Sequence, residues 1–206
     1  MTDPMRIAFL LSGGGRTLAN LAEQIDRGAV PARIVLVIAS RADAYGLKRA
    51  GELGLATCVQ NPQEHADTAA FSDKVFDAVR RAGAELICLA GWLSLLNIPD
   101  DYAQRVVNIH PALLPDFGGK GMYGRHVHEA VLADGRKVSG CTVHFADQTY
   151  DTGPIILQRR CEVREDDTPD TLAARVFEQE CIAYPEAIRL IADGRVSVEE
   201  GRVRVG

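Results

Sequence analysis

An amide, an imidazole and a carboxylate are the first residues of this chain with chemistry to offer. Asn108 and His110 stand two apart at the end of the apolar run Val106–Ile109, inside the stretch NIHPALLP. Residues two apart in an extended segment share a face, so both polar groups leave the strand tip together. An amide donor and an imidazole aimed at one point can stabilise a developing oxyanion, and an imidazole exchanges protons near neutral pH. Pro111 and Pro115 follow and stiffen the backbone beside them. The third group is Asp151, in YDTGPI, where Gly153 permits a tight turn. A carboxylate close to His110 favours the charged ring and is expected to raise its pKa. Spacing alone leaves a second account open, with Asn108 capping the turn, His110 satisfied in the core and Asp151 opening an Asx turn.

A second constellation is LSGGGRTLANL, Leu11–Leu21, a strand end, a glycine turn and a helix start. Glycines let a backbone approach a ligand, and the free N–H groups of a helix N-terminus suit a phosphate. Gly14, Gly15, Arg16 and Thr17 are the candidate substrate-binding residues, the last two adding a charge and a hydroxyl. A dinucleotide fingerprint GxGxxG would need glycine where Leu18 stands. Strand two ends in Ser40-Arg41-Ala42 instead of a ribose-binding acid. A phosphate site is therefore favoured over a full dinucleotide site, and a ligand-free βα turn is the plain alternative.

Other groups offer less. His126 and His128 have i,i+2 spacing, which does not put both rings on one helix face, although with His110 and His144 a metal site is conceivable. There is no GxSxG elbow, and no cysteine adjoins a histidine. Glu180 lies on a long helix, as a solvated residue or a ligand contact, and Trp92 either lines an apolar pocket or fills core.

The elements that must position these groups alternate. Arg6–Leu11, Arg33–Ala39, Thr57–Gln60, Leu86–Ala90 and Val106–Ile109 are expected strands. Helices are expected from Leu18 to Ile25, over Ala44–Leu53 and Phe71–Ala82, and as a short turn near Asp100–Arg105. A βαβα order needs crossover helices and implies a mostly parallel, Rossmann-like sheet with helices on both faces. After a helix at His126–Ala133, Val138–Phe145 and Pro154–Val163 are expected as antiparallel strands around the loop Ala146–Gly153. A long helix, Thr171–Ala192, and a terminal hairpin within Val196–Val205 complete the chain. The expectation is one α/β domain over residues 1–206, with a phosphate-binding half to about residue 105 and a catalytic half from about 106.

Taken together and in order, the motifs resemble the folate-dependent formyltransferases. They are SGGG after strand one, SRADAYGLKRAGELG (Ser40–Gly54), LAGWLSLL (Leu89–Leu96), NIHPALLP (Asn108–Pro115), SGCTVHF (Ser139–Phe145) and YDTGPIILQ (Tyr150–Gln158). The pair NIHPALLP and DTGPIILQ, about 40 residues apart, is specific for enzymes using 10-formyltetrahydrofolate, and SRADAYGL and GCTVHF point to the branch acting on glycinamide ribonucleotide. The resemblance implies formyl transfer from 10-formyltetrahydrofolate as co-substrate, with no metal. It implies that Asn108, His110 and Asp151 match the catalytic trio, with protonated His110 and Asn108 stabilising the oxyanion and Asp151 keeping His110 charged. It further implies that the Gly15-Arg16-Thr17 turn takes the nucleotide phosphate and that Glu180 contacts the glycinamide. Leu93, Ser94, Leu95 and Leu96, with Asp147, Gln148, Thr149 and Tyr150, match folate-binding segments. The chain departs from its relatives at Arg16-Thr17 (commonly Ser-Asn), Thr68 and Ser94 (each near a usual arginine) and Phe177 (often glutamine), and Gly119–Arg125 is longer than in some members. Arg16 and Lys120 are candidate replacements for the charge absent at Thr68.

Composition bounds the rest. Of 206 residues 47% are apolar and 25% charged, and the net charge is −5 with no basic run beyond Arg80-Arg81, which argues against a nucleic-acid partner. Five cysteines form no CxxC pair, as expected of free thiols in a reducing cytoplasm. No stretch approaches the roughly 20 apolar residues of a membrane span, and no signal peptide is expected. The expected partners are two small molecules, glycinamide ribonucleotide and formyl folate, bound by a monomer or homodimer. Alternatives are transfer to another amine such as an amino sugar nucleotide, hydrolysis of the formyl folate, or a nucleotide-binding redox module.

Overall fold

The first apolar run becomes the middle of a sheet. β1 (Met5–Leu11) has Ile7 to Leu11 fully buried, and a strand covered on both faces is characteristic of parallel sheets. It pairs in parallel with β2 (Ala32–Ala39) on one edge and β4 (Leu86–Ala90) on the other, and β2 carries β3 (Thr57–Val59) in parallel. With β5 (Val106–His110), β6 (Val138–Phe145) and β7 (Ile155–Glu162), the seven strands run in the order β3-β2-β1-β4-β5-β6-β7. The structure, a computed structural model, describes residues 3–206. β6 and β7 are antiparallel, in register from Val138↔Glu162 to Val143↔Leu157, with a shift before His144↔Ile155.

Among the described residues five helices intervene: α1 (Arg16–Asp26), α2 (Tyr45–Glu52), α3 (Thr68–Ala82), α4 (Arg125–Ala133) and α5 (Pro169–Ala192). For α3 and α5, side-chain caps set starts earlier than apolar periodicity implies. The Asp67 carboxylate accepts from the Ala70 amide at 2.8 Å, so α3 starts at Thr68 instead of Phe71. Thr168 and Thr171 cap each other reciprocally and Pro169 takes the first helical position, where a missing N–H costs nothing. The short helix expected over Asp100–Arg105 is a single 3-10 turn, Asp100–Tyr102, and a second such turn, Pro62–Glu64, escaped the sequence reading. The terminal hairpin forms from β8 (Val196–Glu199) and β9 (Arg202–Val205).

The chain divides into two compact units, the first ending at Val107 and the second beginning at Asn108. In the first, Trp92 is buried and stacks on Phe71 at 6.0 Å with nearly parallel planes, so it fills core. In the second, α5 lies against β6 and β7. Among the described residues, no helix is long and apolar enough to cross a membrane.

Candidate active site

β5 ends on His110, and the turn between β6 and β7 carries Asp151. The Asn108 amide nitrogen donates to Asp151 Oδ1 at 3.3 Å, and His110 Nδ1 lies 3.5 Å from Asp151 Oδ2. The three predicted groups therefore meet, although 43 residues separate Asn108 from Asp151. Asp151 has φ +59°, in the left-handed region that a non-glycine residue rarely occupies, and so has Phe117 at φ +56°. Such backbone costs on the order of 1–3 kcal/mol and persists where surrounding structure imposes it. Here the surroundings are explicit. The Phe117 carbonyl accepts from His110 Nε2 at 2.8 Å, and the Gly119 amide donates to Asp151 Oδ2 at 2.9 Å.

A fourth member escaped the sequence reading. His144, buried on β6, donates from Nδ1 to the Phe145 carbonyl at 2.8 Å, because a carbonyl can only accept. Its Nε2 faces the Asn108 amide at 3.2 Å and Asp151 Oδ1 at 3.6 Å. The signal was present in GCTVHF, where Thr142 and His144 are polar positions two apart on one face of a buried strand. Among the described residues, no group of three His, Cys, Asp or Glu side chains is arranged to hold a metal ion.

Two expectations need correction. Both hydrogens of the Asn108 amide are engaged, by Asp151 and His144, so the amide is not aimed at a vacant point. The pKa of His110 is also lowered from 6.5, not raised. Burial is the largest cause and outweighs the Asp151 carboxylate and the Phe117 carbonyl, which favour the charged ring, while His144 opposes it. Asp151 shows the opposite balance. Burial pushes its carboxyl up, yet His144, His110 and the Gly119 amide together hold it below 3.8. At rest the site is a carboxylate beside a neutral imidazole. With Nε2–H given to Phe117, the Nδ1 lone pair faces Asp151, a placement that rewards a proton arriving at Nδ1.

The remaining predicted residues fall in separate places. Gly14, Gly15, Arg16 and Thr17 lie in the first unit, at the start of α1, which has no side-chain cap. Gly15 is needed by packing, since it has φ +69° and a Cβ there would fall 2.7 Å from Gly46 Cα. Gly13 and Gly14 meet nothing within 4 Å, so packing does not demand them. Leu93, Ser94, Leu95 and Leu96 follow β4. The Leu93 amide donates to Ser12 Oγ at 3.1 Å and its side chain is exposed, whereas Leu96 is buried. In the second unit, Asp147, Gln148, Thr149 and Tyr150 lead into Asp151. Asp147 Oδ1 organises that loop, accepting from the Thr149 amide at 3.0 Å and the Thr152 hydroxyl at 2.8 Å. Glu180 is half-buried on α5. With burial the main cause and Glu180 the next, the Cys141 thiol is pushed up to about 12, which removes it as a nucleophile.

A family model described as formyl transferase matches residues 5–188. A chloroplastic phosphoribosylglycinamide formyltransferase of Arabidopsis thaliana is 37% identical over 202 residues, covering 96% of this chain and 69% of that protein. The trifunctional purine biosynthetic protein adenosine-3 of Gallus gallus is 37% identical over 97% of this chain, which spans only 20% of that protein's length. The crystal structure of glycinamide ribonucleotide transformylase 1 from Symbiobacterium toebii superposes with a TM-score of 0.93 at 39% identity, covering 100% of this chain and 95% of that one.

Proposed function

The chain belongs to the formyl transferase family, and from that premise we propose that it moves the formyl group of 10-formyltetrahydrofolate onto the amine of glycinamide ribonucleotide, a step of de novo purine biosynthesis. The observation that carries the chemistry is the meeting of Asn108 and His110 on the Asp151 carboxylate.

The amine attacks the formyl carbon, giving a tetrahedral centre with a negative oxygen and a positive nitrogen. Neutral His110 takes the nitrogen's proton at Nδ1, and Asp151 stabilises the imidazolium as it forms. The ring's charge thus appears only when the oxyanion does, which avoids holding a buried cation at rest. One Asn108 N–H leaves its resting partner for the oxyanion. A donor of this kind typically contributes about 2.7–4 kcal/mol to lowering the barrier. The C–N10 bond then breaks, the proton passes through water to N10, and tetrahydrofolate departs.

Gly14, Gly15, Arg16 and Thr17 are assigned to the nucleotide phosphate, Glu180 to the glycinamide end, and Leu93–Leu96 with Asp147–Tyr150 to the folate. The protein works in the cytoplasm, as a monomer or homodimer, where its five cysteines, none of them in a disulfide, suit a reducing medium. The test incubates purified protein with 10-formyltetrahydrofolate and, separately, glycinamide ribonucleotide, an amino sugar nucleotide or no amine, with products identified by mass spectrometry. Formylated glycinamide ribonucleotide is expected. Formate at the same rate without amine, or a formylated amino sugar instead, overturns the assignment.

A further inference from the structure

The two signature stretches of the second unit are tied twice. One tie is the meeting at Asp151. The other lies behind it, where Gln158, the last residue of YDTGPIILQ, reaches back to NIHPALLP. Thr142 and Gln158 face each other across β6 and β7. The Thr142 hydroxyl donates to the Ala112 carbonyl at 2.6 Å and accepts from the Leu114 amide at 3.0 Å. Gln158 Nε2 donates to the same hydroxyl at 2.9 Å and to the Leu114 carbonyl at 2.9 Å. A hydroxyl has one hydrogen and two lone pairs, and a side-chain amide has two hydrogens. Every one of these valences is used. Thr142 and Ala112 are fully buried and Leu114 nearly so, so no water replaces a lost partner cheaply.

What the staple grips is the stem of the segment that holds the reacting groups. Three residues beyond Leu114 stands Phe117, whose carbonyl binds His110, and two further is Gly119, whose amide binds Asp151. Asp116, just before Phe117, pairs with Arg136 at 3.1 Å, and the Arg136 guanidinium lies over the Phe117 ring at 5.3 Å. The same face of β6 therefore works at two places, Thr142 on the stem and His144 on Asn108 and Asp151.

We propose that Thr142 and Gln158 are positioning residues for the formyl transfer, acting through Ala112–Leu114 on the Phe117 carbonyl and Gly119 amide that hold His110 and Asp151. This rests on the formyl-transfer reading. A displacement of about 1 Å at a reacting group can cost on the order of 10²-fold in rate without weakening binding. Thr142→Val keeps the shape and removes every hydrogen bond of the hydroxyl, whereas Thr142→Ser keeps them all.

The experiment measures kcat, KM for each substrate and the pH dependence of kcat for wild type, Thr142→Val, Thr142→Ser and Gln158→Leu, each checked for folding by circular dichroism at the assay temperature. Expected are a roughly 10- to 100-fold fall in kcat for Thr142→Val with KM values within about threefold, and wild-type-like rates for Thr142→Ser. Because the Phe117 carbonyl favours the charged ring, loosening it should also move the apparent His110 pKa in the kcat profile further down. A contribution to stability alone leaves that profile of the folded enzyme unmoved. Should Thr142→Val not fold, Gln158→Leu carries the test with the same kcat and pH readouts. Folded Thr142→Val, or Gln158→Leu in its place, with kcat within twofold of wild type and an unmoved profile overturns the proposal, as does Thr142→Ser failing equally. Absence of formyl transfer by the wild type overturns the functional reading instead.

Discussion

His110 is asked for two opposed properties, residence in a dry site and acceptance of a proton during reaction. Burial sets the first and Asp151 supplies the second. The resting ring is accordingly expected to titrate below 6.5, with burial as the leading cause. A histidine-selective NMR titration of the free protein checks this, and a midpoint above 6.5 contradicts it. Residue types at a strand end brought Asn108 and His110 forward, but spacing left a capping account open, and the family motifs singled out the trio with Asp151. The sign of the His110 shift was not legible, because a two-residue spacing shows which group is nearby and says nothing of how much water surrounds it. The engagement of both Asn108 hydrogens was hidden for a related reason: it depends on His144, whose polar place two from Thr142 shows in GCTVHF but whose partner does not.

At the scale of elements, the loop from Phe117 to Gly119 and the turn carrying Asp151 fit together through a glycine. A Cβ at Gly118 would fall 2.5 Å from Leu114 Cδ2 and 3.3 Å from Asp151 Cβ. The leucine tip can rotate away, but the aspartate backbone is fixed by its own left-handed turn. Gly118→Ala is therefore expected to push the carboxylate off His110 and lower kcat by about 10- to 100-fold, with a stability cost of about 1–3 kcal/mol typical of overpacking. Steady-state kinetics beside urea unfolding separates the two, and unchanged kcat contradicts the clamp. Strands were the most legible elements, since runs such as RIVLVIA and LICLA admit few other readings. Helix starts were less so. Periodicity located α3 by its buried face, beginning at Phe71, whereas the helix begins where Asp67 satisfies the first free amides.

For the molecule as a whole, buried imidazoles tie stability to pH. His110 and His128 are both buried, and both pKa values are lowered from 6.5 by burial first, with His110 also acting on His128. Above the unfolded value each ring is neutral in both states and adds no pH dependence. As pH falls below about 6.5 the unfolded chain binds these protons more readily, so stability declines until the folded values are passed. Asp151, held below 3.8, adds a further loss only as pH falls through its own lowered pKa. The melting temperature should thus drop between about pH 6.5 and 5, before carboxylates titrate. His128→Leu, which also removes a buried ring nitrogen without a partner, should flatten that slope, and an unchanged slope contradicts this origin. What no local pattern discloses is how distant stretches are joined. NIHPALLP and YDTGPIILQ are recognisable separately, but only the folded chain shows Asp151 and Gln158 gripping the first stretch at two points.

The most direct measurement is turnover and folate-analogue affinity of Asp151→Asn beside the wild type. Asparagine tolerates the left-handed backbone and can still accept from the Gly119 amide, so the variant should fold. Expected is a loss of about 10²–10⁴-fold in kcat with the dissociation constant of the analogue within a few-fold. Turnover close to wild type would show that the carboxylate has no part in the proton's path, and the assignment of His110 as the base it supports would fall with it.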